Sequence, residues 1–166
     1  MISFFVTIPK SMWMLNIILL MVLIVIIVLI PDYLIVTIIA VSFIPVFYLT
    51  AISPLLVKIS IGETLLIKTP PYAKKEVAFQ EIQELKKISL VKDKSYKPVY
   101  RTLGTGLLKY KTGKFVINNN RNAIFATNKD DAILIALEDI DIIISPEKSN
   151  DFFNLLQEKI KQSQPM

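Results

Sequence analysis

The chain has 166 residues, 53% of them hydrophobic, with 19 Lys and Arg against 14 Asp and Glu, and it contains neither His nor Cys. Without His it lacks the usual general base and the commonest metal ligand; without Cys it has no disulfide, thiolate nucleophile or lipoprotein anchor. The chemistry left to an enzyme is narrow, and the richness in Ile, Lys and Asn suggests an AT-rich bacterial genome.

Ser11 to about Ile52 is a paired apolar run. Lys10 is the last charge before it, Asp32 the only charge inside it and Lys58 the first after it. Asp32 and Pro31 separate two blocks of about 20 residues, each about 30 Å long as helix, the thickness of a bilayer's hydrocarbon core. Backbone groups in lipid must be satisfied within the segment, so both blocks are expected as helix despite their Ile and Val. A soluble helix this long would carry a polar stripe, but Met14–Ile30 has only Asn16. A cleavable signal peptide fits poorly, because the run is too long, no A-x-A site follows and a second span comes next. The expectation is a transmembrane hairpin with spans at about 11–30 and 33–52, making residues 1–54 an integral membrane segment.

Lys58, Lys68, Lys74 and Lys75 follow the hairpin, Lys10 precedes it, and the connecting turn has no Lys or Arg. The positive-inside rule therefore puts both termini and residues 55–166 in the cytoplasm of a bacterial inner membrane. Trp13, Tyr33 and Tyr48 lie near span ends, where their rings suit the headgroup region. Pro45 is expected to kink the second span. Asn16 can bond across helices or simply sit at the interface.

The remainder is long enough for one compact domain. Ser53-Pro54 should end the second helix. Strands are expected at Leu55–Ile61, Thr64–Lys68, Lys75–Phe79 and Leu85–Val91, with a short turn at Gln80–Glu84. From Lys92 to Thr112 no period is visible, and Pro98, Gly104 and Gly106 mark an irregular loop of the kind that is usually functional or disordered. Lys114–Asn118 and Asn122–Thr127 read as a hairpin turning at Asn119-Asn120-Arg121. Ala132–Leu137 and Ile140–Ser145 are two further β runs. Ser145 as N-cap and Pro146 in the first helical position open a C-terminal helix with Phe152, Leu155, Leu156 and Ile160 on one face. Gln162–Met166 should fray. The fold class is α+β: a two-helix hairpin, then seven or eight strands in an antiparallel sandwich or barrel capped by a helix.

This order resembles the bacterial pleckstrin-homology-like domains of small membrane proteins. Val57-Lys58-Ile59, Gly62-Glu63, Leu65-Leu66-Ile67, Lys74-Lys75-Glu76-Val77 and Glu81-Ile82 carry the first part of the likeness. Arg101-Thr102-Leu103-Gly104-Thr105-Gly106, Tyr110, Gly113, Phe115, Ser145-Pro146-Glu147 and Phe152 carry the second. The resemblance covers about residues 55–160. It implies a binding or scaffolding role, no catalytic residues and no cofactor. Gly104, Tyr110, Gly113, Phe115, Ser145, Pro146 and Phe152 are its fold motif.

Charge is unevenly spread: Lys58–Lys129 holds 15 basic and 5 acidic residues, Asp130–Met166 holds 3 and 8. From Lys86 to Lys114 nine Lys or Arg stand against Asp93 alone, with Tyr96, Tyr100 and Tyr110 between them. Basic and aromatic residues together suit an anionic leaflet or a protein partner, and less well nucleic acid; the plain alternative is solvated surface. Lys92, Lys94, Lys97, Arg101, Lys109 and Lys111 are the candidate contacts, Arg101 with a further option of pinning the loop through bidentate bonds. Gly104-Thr105-Gly106 is no phosphate loop, since Leu108 and Phe115 break the Walker spacing around Gly113-Lys114. Asp130-Asp131 and Glu138-Asp139-x-Asp141 lack an EF-hand spacing and read as solvated turns, so no metal ligand is assigned. Ser145 has no base to activate it as a nucleophile. The function expected is a membrane-anchored, non-enzymatic module that engages a protein partner or the anionic inner leaflet through residues 92–112, with a homo-oligomer as a further option for the partner. The alternative is an accessory subunit of a membrane complex, in transport or envelope machinery, whose hairpin is the active contact.

Overall fold

The computed structural model describes residues 1–107 and 109–163. The chain forms two compact units. One is Ile8–Leu55; the other joins Met1–Thr7 to the chain from Leu56 onward.

The first unit is helical. α1 runs Lys10–Leu29 and stops before Pro31, which cannot continue a helix. α2 runs Tyr33–Phe47, opened by Asp32, whose carboxylate accepts the backbone N–H groups of Leu34 at 2.9 Å and Ile35 at 3.2 Å. The lone charge of the apolar region is thus an N-cap. Pro45 removes one donor from the ladder, and the helix continues beyond it as a π-helical turn, Tyr48–Ile52, then α3, Ser53–Leu55. Helix persists one residue beyond the stop expected at Ser53-Pro54, through Leu55, so the second stretch able to cross a membrane is Tyr33–Leu55, 23 residues, after the 20 of Lys10–Leu29. In their most apolar windows only 11% and 6% of residues are buried, the reverse of a soluble protein's core helix. Asn16 bonds across the helices. Its amide donates to Thr50 O at 3.1 Å and Met12 O at 2.8 Å, and the Thr50 hydroxyl donates to Asn16 Oδ1 at 2.7 Å.

The second unit holds two sheets and a helix. The first sheet has the order β1-β2-β3-β4, from β1 (Ile2–Phe5), β2 (Lys58–Ile61), β3 (Leu65–Thr69) and β4 (Ala73–Val77), all antiparallel. The second has the order β5-β9-β10-β8-β7-β6, from β5 (Glu84–Ser89), β6 (Pro98–Leu107), β7 (Tyr110–Ile117), β8 (Asn122–Thr127), β9 (Asp131–Ala136) and β10 (Asp141–Ile144). The pair β8–β10 is parallel, the rest antiparallel. α4, Ser149–Ser163, closes the chain's described part. The expected architecture of paired sheets and a terminal helix is present, as an open sandwich and not a closed barrel.

Among the described residues ten strands stand where seven or eight are expected, and two of them correct the sequence reading. Residues 1–7 were assigned to the membrane segment; instead Ile2–Phe5 pairs with β2, Ile2 opposite Ile61 and Phe5 opposite Lys58, because the open edge of β2 satisfies its backbone groups. The hairpin is thus inserted between two paired strands. The second addition is β6, ten residues inside the supposed irregular loop 92–112, which also contains a 3₁₀ turn at Lys94–Tyr96 and the start of β7.

The core of the second sheet joins Ile88, Leu90, Phe115, Ile117, Phe125, Leu134 and Ile143, with Phe115 and Phe125 edge to face at 5.1 Å. β9 and β10 are buried on both faces almost throughout, as central strands should be. Phe152 and Leu156 of α4 are fully buried and Leu155 is half-buried. Ser145 is not the N-cap of α4. Glu147 N–H donates to Phe5 O at 3.0 Å, which holds residues 146–147 outside the helix, and α4 begins at Ser149. Ser145 Oγ instead accepts Asn128 N–H at 2.8 Å and donates to Asn128 Oδ1 at 3.0 Å, tying the end of β10 to the end of β8. Helix persists through Ser163, so of the segment expected to fray only Gln164–Met166 remain, outside the described residues.

Candidate functional site

The basic segment is a surface built on an edge strand. Among the described residues, β6 ends the order of its sheet and pairs with β7 alone, so its outer row of backbone groups has no described strand beside it. Register shifts between Pro98 and Tyr100 and between Arg101 and Leu103 make β-bulges. A bulge adds a residue and reverses the alternation of faces, so two of them within five residues erase the period of two. Beyond them the pairing is regular from Leu103 opposite Lys114 to Leu107 opposite Tyr110. Gly104 and Gly113 meet across this stretch. Gly113 has φ +110°, and a Cβ on it would lie 2.3 Å from Leu103 O; one on Gly104 would lie 2.3 Å from Thr112 O. The hairpin needs both glycines to close.

The six candidate cations separate. Lys92, Lys94, Lys97 and Arg101 are exposed. Lys109 forms an ion pair with Asp130. Lys111 is half-buried; burial lowers its pKa, Asp130 opposes this, and the ammonium groups of Lys97 and Lys109 add to it. Three cations therefore share one field, with one carboxylate among them. Arg101 pins nothing by the hydrogen bonds or ion pairs found among the described residues. The arginine that does pin backbone is Arg121, just before β8, which holds the turn between β9 and β10. Its Nε donates to Asp141 Oδ1 at 3.1 Å, Nη2 lies 3.1 Å from the same oxygen in an ion pair, and Nη2 donates to Leu137 O at 2.6 Å and Glu138 O at 3.3 Å. Asp141 is no solvated turn residue: its side chain is 3% exposed, and burial raises its pKa against the pull of Arg121. Arg121 was missed because its partner, 20 residues on, is brought to it only by parallel pairing.

The tyrosines also divide. Tyr110 is buried, which pushes its phenol above the ordinary range. Tyr96 packs on the core and carries the Lys86 ammonium over its ring at 5.0 Å. Only Tyr100, 57% exposed, is free to meet a partner. A nucleic-acid strand needs several stacking faces, so this surface suits it poorly. Around Tyr100, the residues Pro98, Val99, Arg101, Gly106 and Phe115 line an open hollow of about 330 Å³. Among the described residues no three acidic side chains gather to hold a metal ion. The motif residues Tyr110, Phe115 and Phe152 lie in the cores, and Ser145 and Pro146 are buried at the end of β10.

The family model of the bacterial PH domain matches residues 57–160. Comparison with curated proteins and with solved structures gives no match.

Proposed function

The chain belongs to the bacterial PH domain family, and on that premise we propose that it is a membrane-anchored binding module without a catalytic role. The hairpin, residues 8–55, holds the β domain on the cytoplasmic face of a bacterial inner membrane. The exposed cations Lys92, Lys94, Lys97, Arg101 and Lys109, with the half-buried Lys111, engage an anionic leaflet or an acidic protein.

One observation carries the anchoring. β1 precedes the hairpin, β2 follows it, and the two are neighbours in one sheet. Paired strands lie on the same side of a membrane, so the chain between them crosses an even number of times. Two helices of sufficient length lie in that interval. The excess of Lys after the hairpin supports the cytoplasmic side.

The leaflet part is tested in nanodiscs. A cysteine at Ser95, in the exposed 3₁₀ turn, carries an environment-sensitive dye on an otherwise cysteine-free chain. Leaflet contact gives a blue shift in discs of phosphatidylglycerol, none in phosphatidylcholine, and loss of the shift with added salt. Equal spectra in both lipids at low salt remove the leaflet and leave the protein.

A second reading has its own support. Leu19, Leu23, Ala40, Phe43 and Phe47 contribute to an apolar groove of about 340 Å³ along the hairpin. In an accessory subunit of a membrane complex this groove would take a neighbouring helix. Exchange of residues 8–55 for an unrelated two-span anchor separates the readings: a module keeps its activity and an accessory subunit loses it.

A further inference from the structure

We propose that β6 binds an acidic extended segment of another protein, which adds to the sheet as a strand. This rests on the binding-module reading and names its partner.

Three observations meet at this strand. The first is the backbone. Leu103–Leu107 forms a regular five-residue run along β7, and among the described residues no strand pairs with its outer side. An incoming strand finds there a row of backbone donors and acceptors. The second is the side chains. Val99, Tyr100 and Leu103 are 61%, 57% and 53% exposed. The first half of this edge strand carries the usual blunting devices, Pro98, Arg101 and two bulges, yet large apolar groups stay exposed beside a hollow of about 330 Å³. Of the other three described edge strands, β4 and β5 show no exposed large apolar side chain, and β1 exposes Ile2 and Phe5 but carries no charged residue to select a partner. The hollow is wide enough for one aliphatic side chain of the incoming strand.

The third observation is charge, and it selects the partner. Arg101 lines the hollow, Lys97 precedes β6, and Lys109 and Lys114 follow across the hairpin. The nearby carboxylate, Asp130, is engaged by Lys109. A second copy of β6 would bring cations against cations in either orientation, so self-pairing is disfavoured. An acidic segment with alternate apolar residues satisfies all three features: carboxylates to Arg101 and the lysines, apolar groups to Val99, Tyr100 and Leu103, backbone to backbone. The two bulges confine pairing to the Leu103–Leu107 half and leave the Pro98–Arg101 half to hold side chains.

The test uses the full chain in phosphatidylcholine nanodiscs, where no anionic lipid competes. The probes are blocked octapeptides: alternating Glu and Val, alternating Lys and Val, and the Glu–Val peptide with its two central amides N-methylated. Successive amides face opposite edges of a strand, so the last cannot pair at its centre. Strand addition gives binding of the Glu–Val peptide, slowed hydrogen exchange at Leu103–Leu107, and at least tenfold weaker binding of each other peptide. Arg101→Gln, at an exposed side chain, weakens the Glu–Val peptide about tenfold with unchanged melting. Equal binding of the N-methylated peptide, or binding without protection of β6, overturns the proposal and leaves charge attraction alone. If the Glu–Val peptide fails while the Ser95 dye shifts in anionic discs, strand addition falls and the module stands as a leaflet reader. If both fail, both fall.

Discussion

Phe4 and Phe152 stand edge to face, ring centroids 5.0 Å apart and planes at 89°, although 148 residues separate them in the chain. One belongs to the strand before the hairpin, the other to the helix that ends the domain. Both are buried. Phe4→Ala or Phe152→Ala should each destabilise the β domain by about 3–5 kcal/mol. A double-mutant cycle should show about 0.5–1.5 kcal/mol of coupling between the rings. Denaturant titration checks this; additive effects would mean the rings do not meet.

The same pairing makes residues 1–7 part of the domain. A chain starting at Leu56 loses β1 and the Glu147–Phe5 bond, and should melt well below a chain in which a short Gly-Ser linker replaces residues 8–55. Equal melting of the two, read by circular dichroism, would show that β1 adds nothing.

Gly113→Ala should destabilise by about 2–6 kcal/mol, since it adds overlap to a strained backbone. The overlap is with Leu103 O and Gly104 Cα, 2.3 and 2.5 Å from the new carbon. Gly106→Ala meets nothing nearer than 3.8 Å and should stay within about 0.5 kcal/mol. Thermal melting of the two variants gives the contrast directly.

The Arg121–Asp141 pair has a signed pH dependence. With its folded pKa raised, Asp141 holds a proton more tightly folded than unfolded, so its contribution to stability falls as pH rises from the ordinary aspartate value through the raised one. Arg121→Met leaves the carboxylate unpaired and should destabilise by about 1–3 kcal/mol at neutral pH and less in acid, where Asp141 is protonated. Lys111 has the opposite shift. It releases its proton more readily when folded, so stability rises as pH rises through its lowered value toward the ordinary lysine range. Lys111→Met should remove that alkaline rise and increase melting temperature at neutral pH. Melting across pH for the parent and both variants checks both signs.

The hairpin, the central strands and the C-terminal helix were legible because each has a local signal: a charge-free run, an apolar run between turn residues, or a helical apolar face. Two strands were hidden for different reasons. Ile2–Phe5 has too few residues to show a period, and its partner lies beyond the whole hairpin. In β6, the bulges between Pro98 and Leu103 break the alternation that marks a strand. The Ser145-Pro146-Glu147 signal for a helix start is real locally, but the bond from Glu147 to Phe5 overrides it. Of the candidate cations, the sequence located the exposed group and could not separate it from Lys109, held by Asp130, or Lys111, half-buried.

Side of the membrane is the point on which the account turns, and the cysteine-free chain makes it directly measurable. Single cysteines at Asp32 and Gln162 are offered a membrane-impermeant maleimide, first on intact cells and then after lysis. A cytoplasmic domain on an outward-turned hairpin gives labelling at position 32 in intact cells, and at position 162 only after lysis. Labelling of position 162 in intact cells, with position 32 protected until lysis, would contradict it.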